Sequence, residues 1–132
     1  MSAKDIVLKY LDEWDKRNPN GIMATFAEGG TYCDPITGKD LSGDAIMGYA
    51  QTLFTAFPDV RFETGLVAES GNVCAFQWVM KGTNTGKFGD VPASGKQICL
   101  HGVDFIVVEN GKIRSVQGQF DQLALHKQMG LA

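Results

Sequence analysis

The chain has 132 residues, 44% of them hydrophobic, with 12 Lys and Arg against 15 Asp and Glu for a formal net charge of −3. That length reads as a single domain over residues 1–132, apolar enough for a real core. No basic stripe invites nucleic acid and no apolar run is long enough for a membrane span. The first residues lack the apolar stretch of a secretory signal, so a cytoplasmic setting is expected.

Residues 3–16 place Ile6, Val7, Tyr10, Leu11 and Trp14 on one helical stripe, broken by Arg17-Asn18-Pro19-Asn20-Gly21. Ile22, Met23 and Phe26 predict a short second helix stopped at Gly29-Gly30, and residues 31–34 a short extended piece ended by Pro35. A third helix opens at Ser42-Gly43-Asp44, which supplies its N-cap, and buries Ile46, Met47, Ala50, Leu53, Phe54 and Phe57. Strands follow. Val60, Phe62 and Leu66 alternate with polar neighbours, residues 73–81 and 97–108 are apolar at both parities, and Asn110-Gly111 turns the chain into residues 112–120. Residues 84–95 are rich in Gly, Asn and Thr and read as a long loop or a splayed hairpin end. Helices before a strand meander imply an α+β layer fold, with helices on one sheet face.

Strands apolar on both parities need cover on both faces. The helices supply it on one face. The other face calls for a second subunit, and a homodimer through the outer sheet face is expected over a C-terminal tail folded back on it. Cys33, Cys74 and Cys99 are an odd count without a CxxC pair, and His101 and His126 are not spaced with them as ligands, so neither a metal nor a cofactor is expected.

Three residues break the apolar pattern. Asp104 shares the parity of Leu100, Ile106 and Val108, where a carboxylate is costly unless paired, protonated or facing a polar pocket. A carboxylate bonded to a neighbouring element and a functional one weigh about equally there. Asp34 precedes Pro35, which is also ordinary turn chemistry. Tyr10 lies on the buried stripe of the first helix, where packing is the usual role of an aromatic ring but the hydroxyl needs a partner.

The stretch from Tyr10 through Phe26-Ala27 to Tyr32-Cys33-Asp34-Pro35 resembles the N-terminal half of a ketosteroid isomerase, with a helix-borne tyrosine and an Asp-Pro aspartate similarly separated. Asp104 matches that family's second aspartate, in the strand before the last hairpin. The C-terminal half resembles the SnoaL-like polyketide cyclases in Lys81-Gly82-Thr83-Asn84-Thr85-Gly86, Pro92-Ala93-Ser94-Gly95-Lys96 and Asn110-Gly111-Lys112-Ile113. The likeness continues through Asp121-Gln122-Leu123 and Gln128-Met129-Gly130. Both are branches of the NTF2-like superfamily. The resemblance implies a cystatin-like cone, in which N-terminal helices pack on a curved antiparallel sheet and enclose one apolar pocket.

By the same resemblance Asp34 is the proton-shuttling base, with Tyr10 and a protonated Asp104 as oxyanion donors; in the isomerases an apolar site keeps such a carboxylic acid neutral. The aspartate that aldol cyclases carry on the last strand is here Gly118, which cannot act as acid or base, and Asp121 is expected to cap the terminal helix. Gly102 stands where a limonene-type epoxide hydrolase needs arginine, which disfavours that chemistry. Trp14, Phe54, Phe62, Trp78, His101 and Phe120 are the candidate pocket residues, although regular strand parity turns His101 away from Asp104 and favours a structural or interface role. The expected activity is cofactor-free proton transfer next to the carbonyl of a small, apolar compound, extending to polycyclic ones. The alternatives are a non-catalytic ligand-binding or dimerisation module, and a cyclase using another acid such as Asp104.

Overall fold

A computed structural model describes residues 1–131. Among them the order is α1 (Ala3–Asp15), α2 (Pro19–Ala24), β1 (Phe26–Cys33), β2 (Leu41–Ser42), α3 (Asp44–Ala56), β3 (Arg61–Ser70), β4 (Val73–Thr83), β5 (Gln97–Glu109), β6 (Lys112–Phe120) and α4 (Gln122–Gln128). The six strands form one unclosed sheet in the order β2-β1-β6-β5-β4-β3. It is mixed, because β1 runs parallel to β6 while every other neighbouring pair is antiparallel. The architecture is α+β.

Helix α1 starts at a capping box. The Ser2 hydroxyl accepts from the Asp5 amide at 3.2 Å and the Asp5 carboxylate accepts from the Ser2 amide at 3.0 Å, so two amides without helical partners are satisfied. Its stripe of Ile6, Val7, Tyr10, Leu11 and Trp14 is buried against β3, β4 and β5. Helix α2 has Pro19 in its first turn, where a missing N–H costs nothing. It ends earlier than the spacing predicts. Thr25 closes it by donating its hydroxyl to the Ile22 carbonyl at 2.6 Å, and Phe26 is already strand. Gly29 and Gly30 therefore sit inside β1 rather than stopping a helix. They lie where its register with β6 shifts, and a Cβ on Gly30 would stand 2.7 Å from the Ile113 carbonyl oxygen.

Within Ser42-Gly43-Asp44 it is Gly43, with φ of 61°, that holds the cap position of α3, and the Ser42 hydroxyl donates to the Gly30 carbonyl across the β1–β2 pair. In β3 a register shift between Thr64 and Val67 breaks the alternation: Leu66 is thrown outward, 76% exposed, and Val67 packs on the core instead. The β5–β6 hairpin turns on Asn110 and Gly111, both at positive φ, as a two-residue turn requires.

The loop after β4 is gathered around Asn84, a fully buried residue that composition alone leaves unremarked. Its side-chain amide donates to the carbonyls of Ala56 and Gly86, and its oxygen accepts from the amide and hydroxyl of Ser94. One side chain thus ties both ends of the loop to the end of α3.

Even-numbered residues of β4 and β5 face the helices: Cys74, Phe76 and Met80 on one strand, and Ile98, Leu100, Asp104, Ile106 and Val108 on the other. The odd-numbered face carries Gln97, Cys99, His101 and Phe105, all exposed. Asp121 caps α4, accepting from the Ala124 amide at 3.0 Å. The helix is held down by Gln128, whose side chain accepts from the Cys99 amide and donates to the Cys99 carbonyl at the stretch of β5 that lies beyond β6. Leu125 and Met129 are buried in the main core, so the C-terminal segment closes the helical side of the sheet rather than its outer face. Among the described residues no helix is long and apolar enough to cross a membrane.

Candidate active site

Between α1, α3, α4 and the inner sheet face lies a cavity whose empty space, counting its open mouth, is about 580 Å³. Tyr10, Trp14, Asp34, Phe62, Trp78, Asp104 and Phe120 all line it, so the fold brings the three pattern-breaking residues to one wall system. Two sequence candidates stand elsewhere. Phe54 packs behind the lining, its ring centroid 5.4 Å from that of Trp14. His101 is on the outer face, as its odd parity dictates, beside Gly65, Gln77 and Gln119 in a shallow groove.

The glycines of β5 and β6 explain the layout. Phe76, Asp104 and Gly118 form one rung across β4, β5 and β6; Trp78, Gly102 and Phe120 form a second, on the same face. The Trp78 indole lies over Gly102, in space that any side chain there would fill, and meets Phe120 edge-on at 6.0 Å. Gly102 is thus a seat for tryptophan, and the β4–β5 register runs through it without a bulge. From that seat the indole N–H donates to Asp104 Oδ1 at 2.8 Å. Gly118 is the matching gap on the other side, since a Cβ there would sit 2.8 Å from Asp104 Oδ1 and 3.4 Å from Asp34 Cβ.

The two carboxyl groups are in opposite situations. Asp34 ends β1 and folds its own turn. Oδ1 accepts from the amides of Ile36 and Thr37 at 2.8 and 3.0 Å, and Oδ2 accepts from the hydroxyls of Tyr32 and Tyr49 at 2.7 and 2.6 Å. Four donors fill the four lone-pair directions of a carboxylate. Asp104 has Trp78 alone. Its Oδ2 bonds to no described residue, and no side-chain oxygen is sealed away unpaired, so Oδ2 opens on the cavity. Burial pushes the Asp104 carboxyl up to about 7; the Trp78 hydrogen bond opposes this and the Asp34 charge adds to it.

Burial likewise holds the Tyr10, Tyr32 and Tyr49 phenols well above their ordinary value, with Asp104 the next cause for Tyr10. All three keep their protons at neutral pH. Only Tyr10 has its proton to spare, because those of Tyr32 and Tyr49 are given to Asp34. Among the described residues no lysine, arginine or histidine lines the cavity.

Tyr32 and Tyr49 are residues of this candidate site that the sequence did not single out. Tyr32 had a signal, for positions 32 and 34 share a strand face. Tyr49 stands one turn beyond Ile46 on the buried side of α3, a position that apolar counting passes over.

Trp78→Phe tests the role of the indole. Losing a hydrogen bond to the charged form is expected to move the Asp104 carboxyl above its present value near 7, measured by a carboxyl-carbon NMR titration. An unmoved titration would mean that the indole exerts no control over it.

The model of the SnoaL-like polyketide cyclase family matches residues 4–129. The chain belongs to that family. Solved structures agree on the fold. A candidate SnoaL-like polyketide cyclase from a Jannaschia species superposes with a TM-score of 0.88 at 19% identity, covering 98% of this chain and 92% of its own. IdmH of Streptomyces antibioticus, a candidate polyketide cyclase, gives 0.84 at 18% identity, covering 98% and 99%. A protein of ketosteroid isomerase-like fold from Catenulispora acidiphila gives 0.83 at 21% identity, covering 96% and 93%. No curated protein sequence gave a significant match. Within this SnoaL-like frame, the acid on the central strand and the glycine on the last strand are the features that define this site.

Proposed function

We propose that the protein catalyses enolisation of a neutral, largely apolar carbonyl compound, with Asp104 as the group that moves the proton. One observation carries this reading: Asp104 has one oxygen fixed by Trp78 and the other open to an apolar cavity, with its carboxyl raised to about 7. As carboxylate, Oδ2 takes the proton from the carbon next to the carbonyl, the C–H electron pair becomes the enolate double bond, and negative charge collects on the carbonyl oxygen. The free Tyr10 hydroxyl donates to that oxygen. The Asp104 acid then returns the proton, either to a remote carbon in an isomerisation or, in a ring-closing aldol step, to the acceptor carbonyl oxygen, whose π pair moves onto it as the enolate carbon bonds to the carbonyl carbon. Family membership supports the carbonyl substrate, and both outcomes share the first step.

The roles of the two aspartates in this reading differ from those the isomerase resemblance implies. Asp34 has no unoccupied lone pair with which to take a proton, whereas Asp104 has a whole oxygen. Asp34 anchors Tyr32 and Tyr49, and its proximity adds to the raising of the Asp104 carboxyl. The same cavity, about 580 Å³ with its open mouth counted, also fits a second reading, a binding module for a small ligand.

Solvent deuterium uptake next to the carbonyl of acetophenone and of cyclic enones tests the proposal. Wild-type protein is expected to accelerate exchange along a pH profile that rises through about 7, and Asp104→Asn to slow it by roughly 10²–10⁴-fold. Exchange at the uncatalysed rate with wild type, alongside ligand-induced thermal stabilisation, would support the binding module instead. A second copy of the chain covers the outer sheet face in this proposal, where Phe105 is 51% exposed. Sedimentation velocity should find a dimer that Phe105→Glu dissociates; a monomeric wild type would remove that part.

A further inference from the structure

The hydrogen-bond directions around Asp34 say what else a ligand must carry. Tyr32 and Tyr49 line the cavity, and each gives its single hydroxyl proton to Asp34 Oδ2, at 2.7 and 2.6 Å. Asp34 in turn has its remaining directions filled by the Ile36 and Thr37 amides. None of the three side chains has a proton left to offer, and burial keeps the two phenols from ionising. Any polar contact this wall makes is made as an acceptor, through phenolic oxygen lone pairs. The Asp104 and Tyr10 side is the reverse: a phenol with its proton unspent, and a carboxyl that carries a proton in part of the population.

We infer that the Tyr32–Asp34–Tyr49 wall is a subsite for a hydroxyl group on the ligand, so that the substrate is a hydroxylated carbonyl compound bound with its carbonyl at Asp104 and its hydroxyl on the two tyrosines. This rests on the enolisation reading for the carbonyl end and deepens it at the other. A hydroxyl finds an acceptor already polarised toward Asp34. A methyl ether in its place sets oxygen against oxygen, and bare hydrogen leaves the acceptors unmet in an apolar cavity.

The test is a binding series read by calorimetry: the ortho, meta and para hydroxyacetophenones, the matching methoxyacetophenones, and acetophenone itself. At least one hydroxy isomer is expected to bind wild type about tenfold or more tighter than both its methyl ether and acetophenone. Tyr49→Phe and Tyr32→Phe, measured separately in case one folds poorly, should each shrink that gap. Asp104→Asn should keep it. Equal affinity across the series, no saturable binding of any hydroxy isomer, or a gap that survives both tyrosine substitutions would overturn the subsite. Discrimination without deuterium exchange would sink the catalytic reading and leave the subsite standing, so the two failures are distinguishable.

Discussion

Asp104→Asn should stabilise the protein at neutral pH while removing most of the activity proposed for it. The carboxyl sits near 7 in the folded chain against 3.8 for an unperturbed aspartate, so the folded state holds a proton that the unfolded state has released. The stability contributed by that proton is complete below 3.8 and declines as pH rises through about 7. Above that pH the native protein keeps a buried carboxylate with a single hydrogen bond, a penalty on the order of 4 kcal/mol for a displacement of this size. Asparagine keeps an oxygen for the Trp78 indole and carries no charge. The variant should therefore be the more stable protein above about pH 7, by up to that amount, with the advantage shrinking as pH falls toward 3.8. Urea denaturation of both proteins across this range checks it. A constant difference at all pH values would mean that Asp104 does not titrate as placed. In turnover the loss should be roughly 10²–10⁴-fold, the usual contribution of a positioned acid or base.

Gly118→Asp, the substitution that would put an aspartate where the aldol cyclases carry theirs, should disable this site. The new Cβ would come within 2.8 Å of Asp104 Oδ1 and 3.4 Å of Asp34 Cβ. Neither neighbour moves freely: Asp34 is held by four hydrogen bonds and Asp104 by the indole. Steric displacement alone costs about 1–3 kcal/mol, and a third carboxyl in an apolar cavity adds to it. Removing the obstructing carboxylate should recover much of this. In a double-mutant cycle, Asp104→Ala combined with Gly118→Asp should be more stable than the sum of the single effects predicts. Strict additivity would show that the two positions do not compete for space.

Most of the frame was legible in the residues. The stripe on α1, the apolar runs that became β4 and β5 and the Asn-Gly turn each follow from local pattern, and each element formed with close to its expected bounds. Parity alone turned Asp104 inward and His101 outward. The errors have a common cause. Phe26 fits a helical spacing and a strand equally well, and Leu66 obeys an alternation that a bulge resets; each was decided by pairing with a distant strand, which local pattern does not contain. The site was half legible for the same reason. A carboxylate among apolar residues announces itself, but the two tyrosines that hold Asp34 look like packing until the turn after β1 meets α3. Gly102 and Gly118 stood out in the sequence as residues that lack what related enzymes carry. Their role as space for Trp78 and Asp104 exists only across the sheet.

The parallel junction between β1 and β6 has a consequence for how the molecule comes into being. These strands join the first and last thirds of the chain, and the sheet cannot be completed until the final hairpin has been made. A chain still being synthesised already holds Asp34, Tyr32 and Tyr49, yet the space they border has no opposite wall before β5 and β6 arrive. Such long-range closure places folding among the slower topologies, with loop entropy spent before non-local contacts repay it. The cavity that the proposed site needs is therefore walled only once the C-terminal strands and α4 are in place.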